Sequence, residues 1–181
     1  MRNKVLLLTT VVMMLIGISG SAFAWDGERQ GFLLGLGIGL DATNNNPEYG
    51  DSKTEVGLGT DFKLGYAFTN QLMLLYTNKV GWLSIDSVIV TDGLSALGMN
   101  YYLDPKAPSF FFGGGLGVAL RDAPFEEDAV NSTGFGFYAE TGYEFARHWN
   151  VALTLRYGNP KSDDWSTSAI SAALTVNVLG Y

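Results

Sequence analysis

The chain has 181 residues, no cysteine and a formal net charge of −7. The lack of cysteine excludes a disulfide framework and thiolate metal sites, and the acidic balance argues against nucleic acid as a partner. The length suits a single domain. Abundant glycine and the absence of helix-period apolar stripes beyond the N-terminal segment indicate an all-β protein.

Residues 1–24 have the pattern of a secretory signal peptide. Arg2 and Lys4 precede an apolar run over residues 5–18, and Ala22-Phe23-Ala24 has the small-x-small form of a cleavage site. The run is too short for a transmembrane helix, which needs about 18 or more apolar residues. We therefore predict an exported protein with a signal peptide over residues 1–24 and one domain over residues 25–181.

Alternation of apolar and small or polar residues with a period of two predicts eight strands in the exported part. Six of them are predicted over residues 31–40, 56–68, 72–82, 94–103, 110–120 and 170–178. The other two lie within residues 133–159, on either side of a short segment over residues 146–150. The succession of strands predicts an antiparallel meander.

The connections alternate in length. Short turns are predicted at residues 69–71, 104–108 and 146–150, and longer polar loops at residues 41–54, 83–92, 122–132 and 159–166. Residues 87–90 could extend a strand into the second of these loops. In a meander all short turns lie at one end, which is typical of transmembrane barrels with short periplasmic turns.

Each predicted strand has one face of large apolar side chains and one of glycine, small and charged residues. A soluble lipocalin-like barrel would turn the large face inward. The small face, however, suits the interior of an eight-stranded barrel, which is only just wide enough for side chains. We therefore predict an all-β, eight-stranded, antiparallel up-and-down transmembrane β-barrel. Its lipid-facing residues include Leu64, Leu116 and Leu155, and its lumen-facing residues include Gly65, Gly115 and Thr154.

Four stretches carry a resemblance to a known family: Asp61-Phe62-Lys63-Leu64-Gly65-Tyr66, Gly98-Met99-Asn100-Tyr101-Tyr102, Gly113-Gly114-Gly115-Leu116-Gly117 and Gly142-Tyr143-Glu144-Phe145. With them the chain resembles the small eight-stranded outer-membrane β-barrels of OmpA/OmpX type. The resemblance implies a monomer in the bacterial outer membrane, in contact with lipid and lipopolysaccharide and inserted by the barrel assembly machinery. In that family the last strand usually keeps its outward face to a terminal aromatic residue. Here Val178 is on the outward face and Leu179 directly follows it. Tyr181 therefore falls on the inward face unless a bulge intervenes.

The sequence offers no catalytic constellation. The single histidine, His148, lies in a predicted short turn without the partners that a nucleophile–base arrangement needs. Lipid A deacylases of this architecture carry His and Ser two residues apart near the end of a late strand, where this chain has Arg156 and Gly158. We therefore predict a non-enzymatic structural or surface-interaction protein with no catalytic residue, cofactor or metal site. A loop-mediated adhesin, a lipid-modifying enzyme and a small pore are the alternatives.

Acidic residues concentrate toward the predicted long-loop end. They are Asp41, Glu48, Asp51, Asp86, Asp92, Asp122, Glu126, Glu127, Asp128, Asp163 and Asp164. Such charges form either a solvated rim or carboxylate sites at which divalent cations bridge to lipopolysaccharide phosphates.

Strand parity also predicts a charged network inside the barrel. Residues directly opposite in an antiparallel pair share a face. Pairing Phe68 with Leu72 places Asp61 opposite Lys79, and pairing Phe145 with Val151 places Glu140 opposite Arg156. Unpaired charge in a dry interior is costly, so we expect a polar plug that closes the lumen, with charges solvated by luminal water as the alternative. The predicted network comprises Asp61, Lys63, Lys79, Glu140 and Arg156. The family resemblance likewise implies luminal ion pairs of the OmpA type.

Overall fold

A computed structural model of the chain describes residues 28–47, 51–85, 87–126, 131–161 and 167–181. The predicted signal peptide lies outside these residues. Within the described ranges, no helix is long and apolar enough to cross a membrane.

Eight antiparallel strands close into a barrel in chain order, as predicted. They are β1 (Gly31–Pro47), β2 (Lys53–Ala67), β3 (Leu72–Ile85), β4 (Val88–Tyr102), β5 (Ser109–Asp122), β6 (Ser132–Ala146), β7 (Trp149–Lys161) and β8 (Thr167–Gly180). The barrel closes where β8 pairs with β1, from Leu34 opposite Gly180 to Pro47 opposite Thr167. Closure leaves no sheet edge, so every strand can satisfy its backbone hydrogen bonds within the protein, as a lipid environment requires.

All eight strands extend further toward the long-loop end than the sequence predicted. The predicted loop over residues 83–92 is wrong, because β3 continues to Ile85 and β4 already begins at Val88, so the suggested strand extension over residues 87–90 is largely correct. Most of the predicted loop over residues 41–54 also belongs to strands, with Asn44 opposite Thr54. Backbone pairing continues past the apolar residues because polar side chains at the rim do not oppose it.

The large apolar residues face outward. Leu155 is 55% exposed, whereas its neighbour Thr154 is 2% exposed, and Leu64 and Leu116 are exposed as predicted. This orientation is opposite to that of a soluble barrel with an apolar interior. The outer surface is thus an apolar belt, and the inner surface carries the polar groups.

Aromatic side chains ring the short-turn end of this belt. Phe32 and Tyr66 meet edge to face with ring centroids 5.2 Å apart, and the Phe110 and Tyr143 centroids are 4.6 Å apart. Trp149 is also exposed here, at the start of β7. Aromatic rings at this height are typical of the girdle where a membrane barrel leaves the hydrocarbon layer.

Inward-facing glycines make room for aromatic rings in the narrow lumen. A Cβ added at Gly115 would lie 2.7 Å from Cε1 of Tyr138, so this glycine permits the Tyr138 ring to cross the interior. The Phe111 ring occupies the corresponding space beside Gly142. Glycine in these strands therefore serves packing as well as backbone geometry.

We expect Leu155→Arg to destabilise the barrel in lipid by about 2–4 kcal/mol, the cost of a midplane cation on the lipid face. Urea unfolding in lipid vesicles measures this loss. Asn159→Arg is the matched control, because Asn159 lies on the same face of β7 near the polar rim, where the cost falls to about 0–1 kcal/mol. Tolerance of Leu155→Arg combined with failure of Thr154→Leu to fold would show that the two faces are reversed.

Candidate functional site in the lumen

The inward-facing polar side chains form three clusters along the barrel axis. The turn cluster lies at the short-turn end and contains Arg29, Glu144 and Tyr181. The middle cluster contains Asp61, Lys63, Lys79 and Glu140. The outer cluster lies toward the opposite end and contains Asp41 and Arg156. All of these side chains are buried, so each cluster must satisfy its charges internally.

Glu140 of β6 is the centre of the middle cluster. Its Oε1 accepts hydrogen bonds from Lys63 Nζ at 2.7 Å and Asn100 Nδ2 at 3.0 Å. Its Oε2 accepts from Lys79 Nζ at 2.6 Å and Thr154 Oγ1 at 3.1 Å. Both carboxylate oxygens are therefore fully engaged, by donors from four different strands.

Asp61 of β2 completes the middle cluster. Its Oδ2 accepts from Lys79 Nζ at 2.6 Å, and its Oδ1 accepts from Thr77 Oγ1 at 2.9 Å. Lys63 Nζ lies 3.4 Å from Asp61 Oδ2. Two lysines thus face two carboxylates, and this neutral arrangement is the condition under which charge is tolerated in a barrel interior.

The outer cluster is organised by Arg156 of β7. Its Nη2 donates to Asp41 Oδ2 at 2.6 Å, and its Nη1 donates to the carbonyl oxygens of Lys79 at 2.7 Å and Asp92 at 3.2 Å. Thr43 Oγ1 donates to Asp41 Oδ1 at 2.7 Å. A single arginine thereby connects four strands across the lumen.

The predicted pairing of Glu140 with Arg156 is wrong. Tyr143 rather than Phe145 lies opposite Val151, and the register places Glu140 opposite Thr154 and Arg156 opposite Tyr138. A bulge between Glu144 and Ala146 and a two-residue turn replace the five-residue loop. Parity cannot distinguish registers that differ by two residues. In the other hairpin, Asp61 does lie opposite Lys79.

Two acidic residues assigned to the outer loops lie inside the barrel instead. Asp41 is 1% exposed and Asp92 is 8% exposed, because the longer strands β1 and β4 carry them on their inner faces. Asp51, Asp122 and Glu126 do lie at the outer end. The remaining acidic positions, Glu48, Asp86, Glu127, Asp128, Asp163 and Asp164, lie outside the described residues.

Arg29, which precedes β1 and closes the short-turn end, carries no signal in the strand pattern and was not predicted as a site residue. Its Nε donates to Glu144 Oε2 at 2.8 Å, and its Nη1 donates to the carbonyl oxygens of Asn70 at 2.9 Å and Asp104 at 2.7 Å. The guanidinium carbon lies 4.2 Å from the centroid of the Tyr102 ring. Arg29 thus links the first two short turns to β6.

Tyr181 also faces inward. β8 pairs with β1 to Gly180 and with β7 to Val178 without an irregularity, so the bulge that would have turned Tyr181 outward is absent from this strand. The Tyr181 hydroxyl donates to Glu144 Oε1 at 2.6 Å. Burial and the neighbouring Glu144 carboxylate raise the pKa of this hydroxyl to about 12. Tyr181 therefore belongs to the turn cluster and not to the aromatic girdle.

The arrangement around His148 gives no support to hydrolytic chemistry. Its Nδ1 donates to the carbonyl oxygen of Leu179 at 2.8 Å, and its ring packs against Tyr181 with centroids 4.5 Å apart. Arg156 occupies the position that corresponds to the histidine of the deacylases, and it forms an ion pair with Asp41. Among the residues that the structure describes, no group of His, Cys, Asp and Glu side chains is placed to hold a metal ion.

No family model matches the sequence, and no curated protein matches it. Solved structures match its fold. Neisserial surface protein A has a TM-score of 0.63 and 16% identity, over 83% of this chain and 97% of that chain. OprG from Pseudomonas aeruginosa gives 0.49 and 13%, over 86% and 98%, and Ail from Yersinia pestis gives 0.48 and 11%, over 82% and 99%. The fold is that of small eight-stranded outer-membrane barrels, and identities this low carry no activity with them.

Proposed function

We propose that this protein is a non-enzymatic integral barrel of the bacterial outer membrane with a structural or surface-interaction role. The apolar belt, the aromatic girdle and the closed sheet support residence in a membrane. Exact membership of the OmpA/OmpX-type family, insertion by the barrel assembly machinery and a monomeric state are parts of the same proposal. Lipopolysaccharide is the proposed neighbour of the outer rim, where Asp51, Asp122 and Glu126 offer carboxylates.

The observation that carries the proposal is the filled lumen. The middle and outer clusters span the interior, and the voids found beside them in the described part of the chain are small. One void of about 10 Å³ lies beside Asp61 and Thr154, and another of about 10 Å³ lies beside Asp92 and Ser171. Each has room for about one water molecule, so at these two levels the ion-paired residues that the structure describes leave too little space for a hydrated solute. A closed interior leaves the outer end as the surface on which a function can reside.

We expect the unaltered protein to give no steady ion conductance in planar lipid bilayers, because the paired charges block the lumen. The variant Lys79→Ala/Glu140→Ala removes both members of the central pair and should open a measurable water-filled path. Leu155→Ala, on the lipid face, is the control and should leave the membrane sealed. A stable conductance from the unaltered protein would favour the small-pore alternative.

A loop-mediated adhesin is a second candidate. The strands extend beyond the apolar belt at the outer end, where β1 continues through Asn44 to Pro47 and β2 begins at Lys53. A transmembrane strand needs only about 9–11 residues, and β1 has 17. The outer ends of the strands therefore extend beyond the length that a membrane crossing needs, which would favour contact with partners. Cells displaying the protein with the segment 123–131 replaced by a Gly-Ser linker test this role, because adhesion to host matrix should fall while folding is retained.

A further inference from the structure

A cleft of about 380 Å³ opens at the outer mouth of the barrel, at the end opposite the short turns. Asn45, Arg121 and Thr167 supply polar groups to its wall, and Pro47 and Ile85 supply apolar surface. The volume falls within the range of small-molecule sites, which is roughly 300–1,000 Å³. Asp51, Lys53 and Glu55 complete the wall, which therefore combines two apolar residues with six polar or charged ones.

Arg121 differs from the other inward-facing cations in its partners. Each of the others forms an ion pair with a carboxylate: Arg29 with Glu144, Lys53 with Glu55, Lys63 and Lys79 with Glu140, and Arg156 with Asp41. Arg121 Nη1 donates to Asn45 Oδ1, and no carboxylate in the described part of the chain forms an ion pair with it. Asp92 lies directly opposite on β4, and its carboxylate attracts the guanidinium, but the two side chains are not close enough to form an ion pair. A guanidinium with five N–H donors therefore retains capacity for an anion at the cleft.

Two buried polar atoms near Arg121 have no hydrogen-bond partner among the described residues: Asn45 Nδ2 and Ser132 Oγ. Asn45 is 7% exposed and lines the cleft, and Ser132 is 1% exposed and lies directly opposite Arg121 on β6. Burying such groups unpaired is unfavourable. Two of these donor side chains, Arg121 and Asn45, line the cleft, and an anionic ligand there would satisfy both.

We propose that this cleft binds a small carboxylate. Its head group contacts Arg121 and Asn45, and its apolar body packs against Pro47 and Ile85. A planar carboxylate matches the two-pronged geometry of a guanidinium. Lys53 is paired with Glu55, with 3.1 Å between Nζ and Oε1, and Asp51 adds a negative charge to the wall. The wall therefore has too little positive charge to favour a phosphate dianion. This site is independent of whether the lumen conducts ions.

Calorimetric titration of the folded full chain in lipid nanodiscs with sodium benzoate tests the site. We expect saturable binding of benzoate and at least about tenfold weaker binding of benzamide, the neutral analogue of the same shape. Arg121→Gln should lower benzoate affinity by roughly tenfold to a hundredfold. Arg147→Gln removes a cation at the opposite end of the barrel and should leave the affinity unchanged.

Three results would overturn the proposal: no saturable benzoate binding, equal affinity for benzoate and benzamide, or an Arg121→Gln variant that binds as well as the unaltered protein. If Arg121→Gln does not fold, the comparison of benzoate with benzamide on the unaltered protein decides. Tighter binding of inorganic phosphate than of benzoate would refute the assignment to carboxylates.

Discussion

Glu140→Gln should destabilise the barrel by about 3–5 kcal/mol, because it removes one partner from a buried network and leaves cations uncompensated. Lys63 and Lys79 both donate to Glu140, and only Asp61 would remain to face them. The free energy of unfolding in lipid vesicles, followed by urea titration and tryptophan fluorescence, measures the loss. The control is Glu126→Gln, since a solvent-exposed carboxylate at the rim should change stability by less than about 0.5 kcal/mol.

Double-mutant cycles test whether Lys79 or Arg156 is the ionic partner of Glu140. Glu140 and Lys79 are in contact, with Nζ 2.6 Å from Oε2, so their coupling should lie in the range of about 0.5–3 kcal/mol that contacting residues show. Glu140 and Arg156 belong to different clusters and should couple less. Equal coupling in the two cycles, or a larger value for Arg156, would contradict the register that the structure shows.

The fold was predictable because it depends on a repeated local signal. Alternation along each strand fixes which face is apolar, and the hairpin between β2 and β3 has a short turn that allows few registers. That combination predicted Asp61 opposite Lys79, as observed. The length of the strands was harder to predict from the sequence. Asp41, Thr43 and Asn45 alternate with Ala42, Asn44 and Asn46, and with polar residues on both faces the alternation carries almost no signal.

The side-chain contacts across the lumen could not be predicted from the sequence, for a different reason. Lys63 reaches Glu140, which is 77 residues away in the chain, and Arg156 reaches Asp41, which is 115 residues away. Strand pairing specifies neighbours within the sheet, whereas these contacts depend on the stagger of the closed barrel and the reach of long side chains. For Arg156 the sequence predicted one cross-strand partner, Glu140. The bulge near Ala146 shifts the observed register by two residues from the predicted one, so Tyr138 lies opposite Arg156 instead. Parity thus identified the inward charges but not all of their partners.

Arg29→Ala should also destabilise the barrel by about 3–5 kcal/mol, because it leaves the Glu144 carboxylate buried without its cation. Glu144 is 1% exposed, so water cannot readily replace the lost donors. Tyr181 would still donate to Oε1, but Oε2 would lose the guanidinium. Thermal and urea unfolding in lipid vesicles measure the effect, and Arg147→Ala, an exposed cation in a short turn, is the control.

Two further variants separate the effect of the positive charge of Arg29 from the effect of its planar geometry. Arg29→Lys keeps the positive charge, but a single ammonium cannot reproduce the planar contacts to Glu144, the two turn carbonyls and the face of Tyr102. It should therefore recover only part of the stability lost in Arg29→Ala. The double variant Arg29→Met/Glu144→Gln removes both charges and should be more stable than Arg29→Ala alone, since a buried ion pair costs desolvation that a neutral pair avoids. If Arg29→Ala unfolds at the same urea concentration as Arg147→Ala, the turn cluster does not hold the short-turn end closed, and the stability of that end comes from the pairing of the strands alone.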